Sequence, residues 1–72
     1  MKKIKKIKIR VNGKVKTIPD SYKMSDLIKS LKIPTKKVAI ELNQVIINKK
    51  NINKLNLKKN DKIEIVHFIG GG

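Results

Sequence analysis

The sequence predicts an α+β fold in which a mixed sheet of four to five strands carries one helix packed across one face. Three observations lead there. Isoleucine and lysine alternate up to Val11 and run into Asn12-Gly13, a strong hairpin signal. Leu27, Ile28 and Leu31 form one short apolar stripe at helical spacing, and a helix that short needs a sheet to cover. The last strand candidate is apolar on both faces near its end, as a strand in the middle of a sheet would be.

In chain order, Ile7, Ile9 and Val11 alternate with Lys6, Lys8 and Arg10, the period-two pattern of a strand with one buried and one wet face. Both residues of Asn12-Gly13 tolerate the positive φ of a type I′ turn. Val15 and Ile18 mark the return strand, although their spacing breaks strict alternation, and Pro19-Asp20 closes it. The helix is expected from Met24 to Leu31, with Ser25 as N-cap, Asp26 in the first turn and Pro34 as its terminator. Val38, Ile40 and Leu42 alternate with Ala39 and Glu41, and Asn43-Gln44 reverses the chain into Val45-Ile46-Ile47. Residues 48–59 read as an irregular connection with one short helical turn, anchored by Ile52, Leu55 and Leu57. Asn60-Asp61 turns into the final strand, Lys62 to Phe68. Hairpin, helix, hairpin, connection, strand is the order of a β-grasp, or ubiquitin-like, domain. Residues 1–69 are read as that single domain and residues 70–72 as a flexible glycine tail.

The tail is the most informative segment. Ile69-Gly70-Gly71-Gly72 follows the most apolar strand with no charged residue between them. Glycine lacks Cβ, so such a tail fits a channel too narrow for other residues. Its distinctive chemical group is the α-carboxylate of Gly72, which a partner enzyme using ATP can activate as an acyl-adenylate. The plain alternative is a frayed terminus.

Composition excludes much else. The chain has no cysteine and one histidine, His67, so a thiolate nucleophile, a disulfide and a multi-histidine metal site are all ruled out. No metal site is expected. No apolar run approaches the roughly 18 residues of a membrane span, and "MKKIKK" leads into an Ile/Lys strand rather than a signal peptide; the cytoplasm is the expected location. The net charge of +14 raises the alternative of a basic nucleic-acid-binding module. Against it, lysine, isoleucine and asparagine make up 38 of 72 residues, all with A/T-rich codons, so genome composition alone can raise lysine. Arg10 is the single arginine, and Tyr22 and Phe68 are too few for a base-stacking platform.

The segments "IKIRVNGK", "DLIKSL", "VAIELNQVII" and above all "NDKIEIVHFIGGG" resemble the sulfur carrier proteins of thiamine biosynthesis, the ThiS family. The resemblance covers essentially the whole chain and is strongest from Asn60 to Gly72. It implies a β-grasp fold and a protein that is a co-substrate rather than an enzyme. It implies that an E1-like, ThiF-like adenylyltransferase adenylates Gly72 with ATP and magnesium, and that a sulfur-donor system converts the adenylate to a thiocarboxylate. A ThiG-like thiazole synthase would then take the sulfur. Gly70 and Gly71 would be the slender tail, Ile69 and Phe68 the last ordered contacts, and no cofactor would be held permanently. Asn43-Gln44 stands where the family usually has an Asn-Gly turn, and Asn60 where glycine usually precedes the aspartate. Related carriers for molybdopterin synthesis or tRNA thiolation share the diglycine chemistry and form the nearest alternative.

Val66, His67, Phe68 and Ile69 are the candidate partner-binding residues because they lead into the tail. His67 shares parity with Ile63 and Ile65, which predicts partial cover; it is either a strand-end residue or a contact to a partner or a nucleotide phosphate. Glu41 and Glu64 read as residues beside cross-strand lysines on a wet face, with an acidic pair as the alternative. Lys2, Lys3, Lys5 and Lys6 read as a solvated start, and Tyr22 as a closure of the loop before the helix.

Overall fold

The computed structural model describes residues 5–67. Five strands form one sheet: β1 (Lys6–Val11), β2 (Lys14–Pro19), β3 (Val38–Leu42), β4 (Val45–Ile46) and β5 (Lys62–His67), with the helix α1 (Met24–Ser30) between the two hairpins. The strand order is β2-β1-β5-β3-β4. β5 is central, as its two apolar faces predicted, parallel to β1 and antiparallel to β3. This is the expected β-grasp order.

Register decides which residues reach the core. Ile9, Ile18, Val38, Ile40, Ile63 and Ile65 come from the sheet, Met24, Leu27 and Ile28 from α1 and Leu57 from the connection; all are buried together. Completely burying one such side chain stabilises the fold by about 1.5–3 kcal/mol, so this one layer carries most of the favourable energy. The broken alternation in β2 now has a reason. Ile18 pairs with Ile7 on the helix face, whereas Val15 pairs with Arg10 on the other face and is 57% exposed.

The helix departs from expectation at both ends. Its N-cap is Lys23, not Ser25, and the Lys23 N–H donates to Asp26 Oδ2 at 2.9 Å. The reason is tertiary. Met24 is fully buried, and the Met24 and Ser25 N–H groups donate to the carbonyls of Leu55 and Ile52, so the connection satisfies donors that a serine would otherwise cap. At the C-terminus the chain turns before Pro34 is reached. Lys32 adopts φ 56°, its N–H donates to Lys29 O, and the Ile33 N–H donates to Ile28 O. That is a Schellman motif with lysine at the position glycine usually holds. A 3₁₀ turn at Thr35–Lys37, not legible in the sequence, then leads into β3.

The connection contains the expected helical turn, a 3₁₀ segment at Lys49–Asn51. Lys49 Nζ donates to the carbonyls of Thr35 and Val38, both at 2.9 Å, tying the connection to the start of β3. Ile52 and Leu55 are half-buried against the core and Leu57 is buried, while Tyr22 packs against the same core from the loop before α1. The second hairpin is shorter than expected. β4 ends at Ile46, and Val45 and Ile46 are 62% and 74% exposed on the sheet edge. Asn43 and Gln44 form its two-residue turn with φ of 51° and 71°, so the predicted reversal holds with glutamine in a left-handed position.

Candidate functional site

The candidate site is the end of β5, where the central strand leads towards the tail. Residues 68–72, and with them Phe68, Ile69, Gly70, Gly71 and Gly72, lie outside the described residues. What the structure does show is how the origin of that tail is held.

β5 outruns β1. Only Lys62 and Ile63 pair with β1, opposite Arg10 and Val11, because β1 then turns away at Asn12-Gly13. The next backbone groups of β5 are taken by a side chain. Asn12 Oδ1 accepts from the Ile65 N–H at 2.8 Å, and Asn12 Nδ2 donates to Ile65 O at 3.3 Å. The amide thus acts as one further residue of β1. Sequence reading assigned Asn12 to the turn, which is correct at φ 51°, but nothing local marks its bond to a residue 53 positions away. Asn12→Gly keeps the turn conformation and removes only this bracket. It should cost about 1–2 kcal/mol, seen as a melting temperature lowered by roughly 5–15 °C and as faster amide exchange at Ile65.

The other side of β5 is anchored to β3 through Ile40, Ala39 and Val38, opposite Ile65, Val66 and His67. At the base of the strand Asp61, 9% exposed, accepts from Asn43 Nδ2 at 3.0 Å and from the Lys58 N–H at 2.7 Å. Asn43 Oδ1 in turn accepts from the Lys62 N–H. The expected Asn60-Asp61 turn is present, with Asn60 at φ 70°, but Asp61 also binds the β3–β4 turn to it.

Among the sequence-predicted contact residues, Val66 lies on the helix-free face, opposite Ala39 and 53% exposed. His67 is exposed, which corrects the expectation of cover from its parity. Its pairing partner Val38 is buried, but on the other side β1 has already turned away, leaving His67 without a neighbouring strand there. For Glu41 and Glu64 the alternative reading holds: they are each other's direct cross-strand partners on the helix-free face, and neither has a lysine directly opposite across β3–β5.

Among the described residues no three of His, Asp and Glu gather as a metal site. A groove of about 480 Å³ is lined by Val11, Leu31, Ile33 and Ile65 with Lys14 and Lys16 at its side, and it contains no acid or base suited to neutral-pH catalysis. No helix among the described residues is long and apolar enough to cross a membrane. The arrangement suits presentation: the central strand is bracketed on both sides up to its last described residues.

Comparison with known proteins agrees. The ThiS family model matches residues 9–72. The chain is 42% identical over 65 residues to the sulfur carrier protein ThiS of Bacillus subtilis, spanning 89% of this chain and 98% of that protein. It is 33% identical over 66 residues to a thiazole synthase of Magnetococcus marinus, spanning 92% of this chain but 20% of the synthase. The crystal structure of the thiamine biosynthesis protein ThiS from Geobacter metallireducens superposes with a TM-score of 0.81 at 29% identity, covering 92% of this chain and 100% of that one.

Proposed function

The chain belongs to the ThiS family and is a sulfur carrier of thiamine biosynthesis, and from that membership we propose that Gly72 is the residue on which the sulfur travels. The carboxylate of Gly72 attacks the α-phosphorus of ATP in the site of an E1-like, ThiF-like adenylyltransferase, and pyrophosphate leaves with magnesium. Sulfide (HS⁻) delivered by a donor system then attacks the acyl carbon, forms the C–S bond and expels AMP, the proton on sulfur being lost to solvent. The product is a C-terminal thiocarboxylate, more nucleophilic at sulfur than a carboxylate is at oxygen. Transfer of that sulfur to the acceptor in a thiazole synthase breaks the C–S bond, and an oxygen from water or from the acceptor takes its place on the acyl carbon, which returns the carboxylate.

The observation that carries this reading is the family match running through Gly72 on a chain whose central strand leads straight to the tail. Thiazole synthases that contain a stretch similar to 92% of this chain, 20% of their own length, support the synthase as acceptor: a carrier within the same polypeptide is at high effective concentration. The carrier supplies no general base and is a protein co-substrate of cytoplasmic partners. Gly70 and Gly71 pass through the partners' channels, and Val66, His67, Phe68 and Ile69 meet the channel mouth.

The test is the intact mass of the chain after incubation with ATP, magnesium, a sulfur donor and its adenylating enzyme, beside a copy lacking Gly72. Replacement of one oxygen by sulfur is expected in the full chain only. An adenylating enzyme that modifies its own proven carrier but leaves this chain untouched would overturn the proposal.

A further inference from the structure

β2 is an edge of the sheet, and a groove lies beside it. The strand order ends at β2, whereas β4, the edge at the other end, is only two residues long. The Arg10 and Asn12 N–H groups donate to β5, at the carbonyls of Asp61 and Ile63. The alternate residues of β1, Ile9 and Val11, therefore direct their backbone groups to β2 and form hydrogen-bonded pairs with Lys16 and Lys14. That leaves the N–H and C=O groups of Val15 and Thr17 directed away from β1, with no strand beyond them among the described residues. Both residues are exposed.

The groove of about 480 Å³ opens along this edge, on the helix side of the sheet. Val11 and Ile65 contribute from the face that carries α1, and Leu31 and Ile33 from the turn that ends the helix. Lys14 and Lys16 line it from β2, on the same face as Val11 and Ile9 with which they pair. Lys32 is exposed between Leu31 and Ile33 in the chain. An apolar trough beside open backbone groups receives an extended strand. The lysines decide which strand. A second copy would bring its own Lys14 and Lys16 to the edge, like charges against like in a chain of net charge +14. An acidic segment meets the same lysines with attraction.

We propose that the free edge of β2 and its groove bind an extended acidic–apolar segment of a partner protein, which joins the sheet as one further strand. The backbone of the segment pairs with Val15 and Thr17. Its alternate apolar side chains enter the groove over Val11, Leu31 and Ile33, against the aliphatic stems of Lys14 and Lys16. Aspartates or glutamates at its ends reach the amines of Lys14, Lys16 and Lys32. The groove lies on the other face of the sheet from Val66, so a segment held here leaves the helix-free face uncovered. Ile65 lines the groove two residues before the end of β5, which sets the occupant beside the last described residues of that strand. Binding here needs nothing from Gly72 and is tested apart from the carrier chemistry.

The probe is a short fluorescent peptide, a run of valine and isoleucine flanked by aspartate and glutamate, titrated into the full chain and followed by anisotropy and by amide exchange. Saturable binding is expected, with exchange of the Val15 and Thr17 amides slowed by about tenfold or more. Thr17→Pro removes an outward N–H that β1 does not use, a change an edge strand tolerates. It should keep the melting temperature and weaken the peptide by about tenfold or more. Lys14→Glu/Lys16→Glu should weaken it by at least about tenfold. Lys36→Glu/Lys37→Glu, an equal charge change in the 3₁₀ turn before β3, should stay within about twofold. An oligoglutamate of the same net charge as the peptide should bind more weakly by about tenfold. Oligoglutamate binding as tight as the peptide would mean that charge alone holds it, and would overturn the proposal. So would absence of saturable binding, or full affinity in a folded Thr17→Pro chain. Slowed exchange at Val15 and Thr17 on concentrating the chain alone would give the edge to a second copy instead. Should Thr17→Pro unfold the chain, the peptide N-methylated at the amides that face β2 takes its place, and undiminished binding of that peptide overturns the proposal.

Discussion

Gly71→Leu is expected to lower the rate of Gly72 adenylation by at least about 100-fold while leaving the melting temperature of the carrier unchanged. The core layer is built from residues 9–65 of β5, β1, β2, β3, α1 and the connection, which the substitution does not alter. The loss arises in the partner. On the proposed reading the tail threads a closed channel that brings the carboxylate oxygen within attacking distance of the α-phosphorus, and a branched side chain one residue before that oxygen would block the channel or displace the carboxylate. Displacements of about 1 Å from in-line geometry suffice for such a loss. Gly71→Ala separates the two causes: one methyl group tests the width of the channel and should give a smaller loss. The measurement is single-turnover adenylation at saturating carrier, with affinity measured in parallel. A purely local defect leaves affinity from the rest of the carrier in place, so the rate should fall and Kd should not. Equal rates for Gly71→Leu and wild type would remove the narrow-channel argument.

The sheet was legible in the sequence because its signals are local and redundant. Alternation in β1, the Asn12-Gly13 turn and the double-sided end of β5 each point to one arrangement, and a one-residue slip would expose every core isoleucine. The helix ends were less legible because their backbone groups are satisfied from afar. Carbonyls of Ile52 and Leu55, almost thirty residues on in the chain, replace the cap that Ser25 was expected to provide. Lysine at φ 56° in the C-terminal motif gives no sequence signal, since the αL position is usually glycine. For the site, the tail lies outside the described residues, and the cover predicted for His67 failed because parity reports the face and not how far the neighbouring strand extends. The Glu41–Glu64 opposition needs the β3–β5 register, which no local pattern fixes.

Asp61→Ala is the substitution expected to destabilise the domain most among its polar residues, by about 2–4 kcal/mol. Its carboxylate accepts from Lys58 N–H at 2.7 Å and Asn43 Nδ2 at 3.0 Å, and its backbone carbonyl accepts from the Arg10 N–H at 2.9 Å. One residue therefore joins the turn before β5, the β3–β4 turn and the entry of β5 beside β1. Removing the carboxylate takes the acceptor from two part-buried hydrogen bonds, and each hydrogen bond to a charged acceptor contributes about 1.5–3 kcal/mol. A domain of this size holds roughly 4–11 kcal/mol in all, so the melting temperature should fall by roughly 10–25 °C. The Asn43 bond can be isolated by a double-mutant cycle. Asn43→Ala removes a partner that Asp61 shares with Lys62, and the double variant should lose less than the sum of the singles. Full additivity would mean that Asp61 acts through the Lys58 turn alone. Because the loss is in stability and not in the tail, Asp61→Ala should still be adenylated at wild-type rate well below its melting temperature and lose that capacity only as β5 releases, the converse of Gly71→Leu.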